Sequence, residues 1–207
     1  MYKEEYRRLC KLHLRIPSTF LHHMAQIFLP WHRWHLLEFE NFLRQIDCRI
    51  TIPYLDWSMD SEHWARGTEK SDVWSPMPHG LGGDGQLPQG CVTDGPFKEG
   101  IFYFPETIGY GCLKRNFNLS CFPPSKDQIE NAINNSSFTV FEKFIRDKIH
   151  PSFHDCVDGQ MLKHHSASFT PEFWIHHSFV DKLWTAWQTK TCKQSLNILL
   201  AFPSRCH

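Results

Sequence analysis

His150 and His154, in the stretch "IHPSFHDC", lie four residues apart. On a helix that interval stacks two imidazoles on one face, about 6 Å apart along the axis and close enough to share an ion. The same spacing also suits two half-exposed rings near a helix end. Pro151 puts His150 in a first helical turn or at a break. It also stands where the HExxH pattern of zinc proteases needs Glu, which argues against that chemistry. In "FWIHHSFVDKLW", His177 is the natural third ligand from another helix, with His176 beside it as a rival. Asp181, one turn onward, could orient a ligand's outer ring nitrogen or hold the helix through a salt bridge. Histidines on apolar helix faces are more often hydrogen-bonded core residues than ligands, so these rings need a second group to complete a site.

That group lies upstream. In "HHMAQIFLPWHRWHLLEFENF", residues 22–42, His23 falls in a loop and His32 in the first turn of a following helix, and His13 completes a second trio. Three neutral imidazoles on each side, without thiolate or carboxylate, suit copper in a redox role rather than magnesium or calcium, which prefer oxygen. Two facing trios would hold a metal pair about 3.5–4 Å apart.

Four helices must position these rings. Residues 2–13 predict a short helix with Tyr6, Leu9, Cys10 and His13 on one face, closed by Pro17. A second runs from Trp31 to about Gln45, with Pro30 just before it and Leu36, Leu37, Phe39, Phe42 and Leu43 as its apolar stripe. A third lies in "SSFTVFEKFIRDKIHPSFHDC", where Ser137 can cap and Val140, Phe141, Phe144 and Ile145 face inward. The last, "PEFWIHHSFVDKLWTAWQ", starts near Pro171 and buries Phe173, Ile175 or His176, His177, Val180, Leu183, Trp184 and Trp187. The expected fold is mainly α, a four-helix bundle holding a dinuclear copper centre in its core, over residues 1–190 with a tail at 191–207. Between the helices, "TIPYLDWS" reads as extended, and residues 60–125 form a long irregular insert rich in Gly and Pro.

Eight cysteines without a CxxC pair favour disulfides over a zinc site, and Cys48, Cys91, Cys112 and Cys121 border or lie within the insert they would pin. Disulfides imply an oxidising, extracytoplasmic compartment, and sequons at Asn118, Asn134 and Asn135 agree with it. The opening residues are too charged for a signal peptide, so a secreted form is expected to begin upstream of this sequence. With 22 basic and 22 acidic side chains, nothing draws the protein to nucleic acid or anionic lipid, and no apolar run is long enough to cross a membrane.

"HMAQIFLPWHRWHLLEFE" followed by "TIPYLDWS" resembles the first copper signature of tyrosinases, and "HPSFHDCVDGQM" with "FTPEFWIHHSFVDKLWTAWQ" resembles the second. "GGDG", "CVTDGPFKEG" and "GCLKRNF" resemble inserts of animal tyrosinase-like proteins, so the likeness spans roughly residues 6–190. It implies two copper ions, with His23 and His32 as ligands of the first and His150, His154 and His177 of the second. The remaining ligand of the first copper falls to His13, with His22 as a poorer alternative. The implied chemistry is oxidation of o-diphenols to o-quinones by dioxygen, with monophenol hydroxylation as an additional activity. A haemocyanin-like oxygen carrier and a non-catalytic relative would share these ligands. Asp56, Asp181 and Phe173 are the supporting residues expected around the ligands, with Phe179 a further packing candidate. The chain departs from the family pattern at Pro151, where many members have an Asn linked to monophenol deprotonation, and at Asp158 and Thr170, which replace a Gly and an Asp.

Overall fold

The computed structural model describes residues 2–17, 27–59, 61–65, 72–102 and 111–191. Helix α1, Tyr2–Arg15, has Glu4 and Glu5 in its first turn and Arg15 in its last, the arrangement the helix dipole favours, and it buries Leu9, Cys10 and His13. Helix α2, Phe28–Arg44, starts three residues ahead of the expected Trp31. Pro30 therefore sits inside the first turn, where a backbone N–H has no intrahelical partner to lose. The fully buried Phe28 ring explains the extension, because packing on that residue outweighs the local signal from proline.

Helix α3, Lys126–Ile133, begins where the Ser125 backbone N–H donates to Gln128 Oε1 at 2.8 Å. Helix α4, Phe138–Phe144, is capped by Ser137, whose Oγ accepts from the Val140 backbone at 3.5 Å. A π-helical turn, Ile145–Ile149, then leads into α5, His150–Val157. The wide turn is closed by the His150 N–H donating to the Ile145 carbonyl. A fresh helical segment then begins with Pro151 in its first turn, where the missing donor does least harm. Phe141 and Ile145 face the core as expected, but Val140 is 52% exposed: the short α4 has room for only a narrow inward stripe. Helix α6, Pro171–Lys190, opens on a proline as expected and buries residues on most of its circumference, including Trp174, which stacks on Phe39 of α2 with ring centroids 3.9 Å apart.

The four histidine-bearing runs, α1, α2, α4–α5 and α6, make a mainly helical fold around one apolar core. Arg33 of α2 clamps α6: its Nε donates to Asp181 at 2.5 Å while its guanidinium lies 3.7 Å over the Trp184 ring.

The insert is irregular apart from a two-stranded antiparallel pair, β1 (Gly85–Gln86) and β2 (Cys91–Val92). A Cβ on Gly85 would lie 2.1 Å from the Gly90 carbonyl oxygen, so only glycine fits. Disulfides Cys91–Cys112 and Cys121–Cys156 tie the insert to itself and to α5, and Cys48 takes part in neither. A buried ion pair adds a third tie. Arg115 Nε and Nη2 each donate to the Glu172 carboxylate at 3.0 Å, and Nη1 donates to the carbonyls of Leu81, Gly82 and Gly83. Both side chains are fully buried, and Glu172 lies in the first turn of α6 next to Phe173. Removing one partner strands the other charge, so Glu172→Gln is expected to lower unfolding free energy by about 3–5 kcal/mol. Replacing both partners by methionine should cost less than either single change, as measured by denaturant titration.

Candidate metal centre

Six described histidines converge where α1, α2, α5 and α6 meet. His32 of α2 and His177 of α6 stack in parallel, centroids 4.1 Å apart with an interplanar angle of 2°. His13 of α1 lies 5.8 Å from His32 on one side. On the other, His150 lies 4.9 Å from His177 and 4.5 Å from His154. One ring nitrogen from each of His150, His154, His176 and His177 falls within 4.8 Å of the others. Phe28 packs 4.8 Å from both His32 and His150, and the fully buried Phe173 lies 5.0 Å from His13 and 4.3 Å from His177. These two rings shield the inner side of the cluster from water. His23 and the alternative His22 lie outside the described residues.

The outer hydrogen bonds fix which nitrogen faces inward. His32 Nδ1–H donates to the Phe28 carbonyl at 2.8 Å and His154 Nδ1–H to the Met161 carbonyl at 2.6 Å, which leaves a lone pair on each Nε2. His13 Nδ1 and both nitrogens of His177 are buried without a hydrogen-bond partner. Burial, reinforced by neighbouring imidazoles, holds His13 and His177 well below the ordinary histidine pKa, so these rings are neutral. A buried acceptor with no donor is costly, and a cation of borderline softness satisfies several such nitrogens at once. The donor set fits copper.

The expected supporting residues divide. Phe173 occupies the centre of the site. Asp181 forms the salt bridge with Arg33 instead of orienting a ring, because the next turn of α6 brings it opposite α2. Asp56 accepts from Ser58 Oγ at 2.5 Å and faces Lys182 at 3.8 Å, on the outer side of α6. Phe179 also lies away from the rings, packing edge-on against Trp57 at 5.0 Å.

Two supporting residues were hidden in the sequence. Trp57 Nε1–H donates to His176 Nδ1 at 3.1 Å. Indole only donates, so His176 must carry its proton on Nε2, which disqualifies that atom as a neutral-ring ligand and leaves His177 as the better donor. His35 is buried and its Nε2–H donates to the Leu9 carbonyl at 2.9 Å, joining α2 to α1 one turn before His13. An "HH" pair and an "HRWH" spacing were the available signals, but which ring has a donor opposite depends on residues 119 and 26 positions away. Asp158 ends α5 at φ 54°, which accounts for the usual glycine there, and its carboxylate accepts from Asn116 Nδ2 at 2.7 Å. Thr170 precedes α6 with its hydroxyl donating to the Ala167 carbonyl at 2.7 Å instead of capping the helix.

A cleft of about 120 Å³ reaches the rings from the surface, lined by His13, His150, Pro151, His154 and His164 and by Leu162, which is 48% exposed.

The family model described as the common central domain of tyrosinase matches residues 3–190. The chain belongs to the tyrosinase family. It is 33% identical over 185 residues to the tyrosinases of Streptomyces glaucescens and Streptomyces lincolnensis, an overlap of 81% of this chain and 64% of each relative. A tyrosinase-like protein of Diaporthe leptostromiformis is 31% identical over 191 residues, or 84% of this chain and 47% of that one. The chain thus spans just under two thirds of the length of the bacterial tyrosinases it matches. In fold it is similar to a variant of polyphenol oxidase from Thermothelomyces thermophila, with a TM-score of 0.72 at 19% identity over 89% of this chain and 59% of the other.

Burial pushes His35 down to about 4. The unfolded chain binds that proton near pH 6.5 and the folded chain does not, so stability is full above 6.5 and falls as pH drops toward 4. Unfolding free energy of the copper-free protein should decline by roughly 1.4 kcal/mol per pH unit for this residue alone. Denaturant titrations at pH 7 and 5 check this, with a shallower slope in His35→Asn. Trp57→Phe, which releases the His176 tautomer beside His177, should weaken copper retention by about 10-fold or more in competition with a chelator.

Proposed function

We propose that the protein is a copper-dependent oxidoreductase that uses dioxygen to convert o-diphenols to o-quinones. Its two copper ions would be held by His13, His23 and His32 and by His150, His154 and His177. The observation carrying this reading is the convergence of imidazoles from four helical runs, most of them buried, at the floor of a cleft. Copper, when bound, supplies the electron transfer to dioxygen: each diphenol gives up two electrons and two protons, and two diphenols reduce one dioxygen to two waters.

The protein's part is binding and orientation. Hydrogen bonds from His32 to the Phe28 carbonyl and from His154 to the Met161 carbonyl hold those rings edge-on to the centre. Phe28 and Phe173 keep water from the inner side of the cluster, and the cleft would admit a flat ring between Pro151, Leu162 and His164. A cleft that reaches these rings from solvent supports turnover over a haemocyanin-like carrier, which would shield them from phenols. Pro151 lines the cleft and has no side-chain donor or acceptor to hold a water beside an incoming monophenol. Diphenol oxidation is therefore the main activity and monophenol hydroxylation a minor one. The disulfides support an oxidising, secretory location, in which Asn118, Asn134 and Asn135 would be available for glycosylation. No described helix is long and apolar enough to cross a membrane.

Copper-reconstituted protein is expected to hold two copper ions and to oxidise catechols, whereas His177→Ala should lose one copper and fall to background turnover. If that variant kept both ions and full activity, the ligand assignment would be wrong. Pro151→Asn should raise the ratio of monophenol to diphenol turnover, measured by oxygen uptake with the two substrate types.

A further inference from the structure

The lining of the cleft is imidazole and apolar surface with one exception. Asp155, the residue after His154 on α5, contributes the single carboxylate among the described residues that line it. Elsewhere several half-buried acids of this chain are engaged: Glu5 by Arg8, Asp47 by Arg49, and Asp147 by Lys143 and Arg146. Asp155 is exposed and has neither a hydrogen bond nor an ion pair among the described residues. A second carboxylate, Asp158, ends the same helix, held by the Asn116 amide and the Gly159 N–H, neither of which cancels its charge. Asp155 thus places a negative charge on the α5 side of the cleft, while Leu162 and Pro151 give the cleft its apolar wall.

Resting on the proposed diphenol chemistry, we infer that the cleft selects phenols bearing a short cationic side chain, with Asp155 as the specificity-determining residue. The aromatic ring enters between Pro151 and Leu162 toward His150 and His154, and an ammonium group on a short alkyl spacer meets the Asp155 carboxylate at the rim. A carboxylate in the same place meets like charge. The pairing is partly exposed to water, so it sorts substrates by a modest factor and weakens with salt.

The test uses the full copper-loaded chain and three catechols, bearing a 2-aminoethyl group, no side chain, or a 2-carboxyethyl group. At low ionic strength kcat/KM should fall in that order, with the amine favoured over the acid by roughly three- to tenfold, mainly through KM. Asp155→Asn should bring the amine-to-acid ratio toward one, Asp155→Lys should invert it, and 0.5 M salt (an assay condition of about that strength) should compress it. A ratio unchanged by Asp155→Asn, or an acid preferred by the parent protein, overturns the inference. Binding of 2-phenylethylamine against 3-phenylpropionate, followed by the NMR methyl signals of Met161 and Leu162, reads the same selectivity without turnover. Selective binding without catechol oxidation would sustain the cleft assignment and refute the oxidase reading. Oxidation without charge preference would do the reverse.

Discussion

The fold around the site answers to one constraint: several imidazoles must be held with their inward nitrogens unspent and shielded from water except along one cleft. A buried nitrogen with a free lone pair is unfavourable by itself, so the protein needs rigid support to hold the rings before any cation arrives. That support is largely backbone. His32 and His154 are each tethered by a carbonyl four or seven residues away, a local contact that the helix or its following turn supplies. Aromatic rings close the remaining space, with Phe173 in contact distance of both sides of the cluster. The rings are held neutral by the same dryness that makes them useful.

Much of this was readable from residue types and intervals. The helices around His13, His32, His150 and His177 follow from apolar periodicity, and two matched signatures in order set them in one site. What the sequence could not carry was long-range pairing. Asp181 has the right spacing to serve His177, yet a better partner, Arg33, arrives from α2, 148 residues earlier in the chain. Trp57 looks like part of an aromatic strand until the fold places His176 opposite its N–H. Local signals also lost to packing at both ends of scale: Phe28 drew α2 back past Pro30, and the brevity of α4 left Val140 in water.

The insert shows how irregular chain can still be part of the core. Its glycines allow backbone carbonyls to gather on Arg115, and that guanidinium carries the insert's shape to Glu172 in the first turn of α6. Cys121–Cys156 makes a second attachment, two residues beyond His154. Both anchors bear on helices that hold histidines, so a largely irregular segment braces the two elements that carry His150, His154 and His177.

The parallel stacking of His32 on His177 gives the site a particular mechanical character. These rings belong to α2 and α6, whose contact is filled by Phe39, Trp174 and the Arg33 clamp. The gap between these two rings is therefore a dimension of the packed core, as resistant to compression as the side chains that fill it. Changes at the cleft would leave the distance between α2 and α6 untouched. If each half of the site holds one ion, as proposed, the spacing of the pair would be built in when the helices pack.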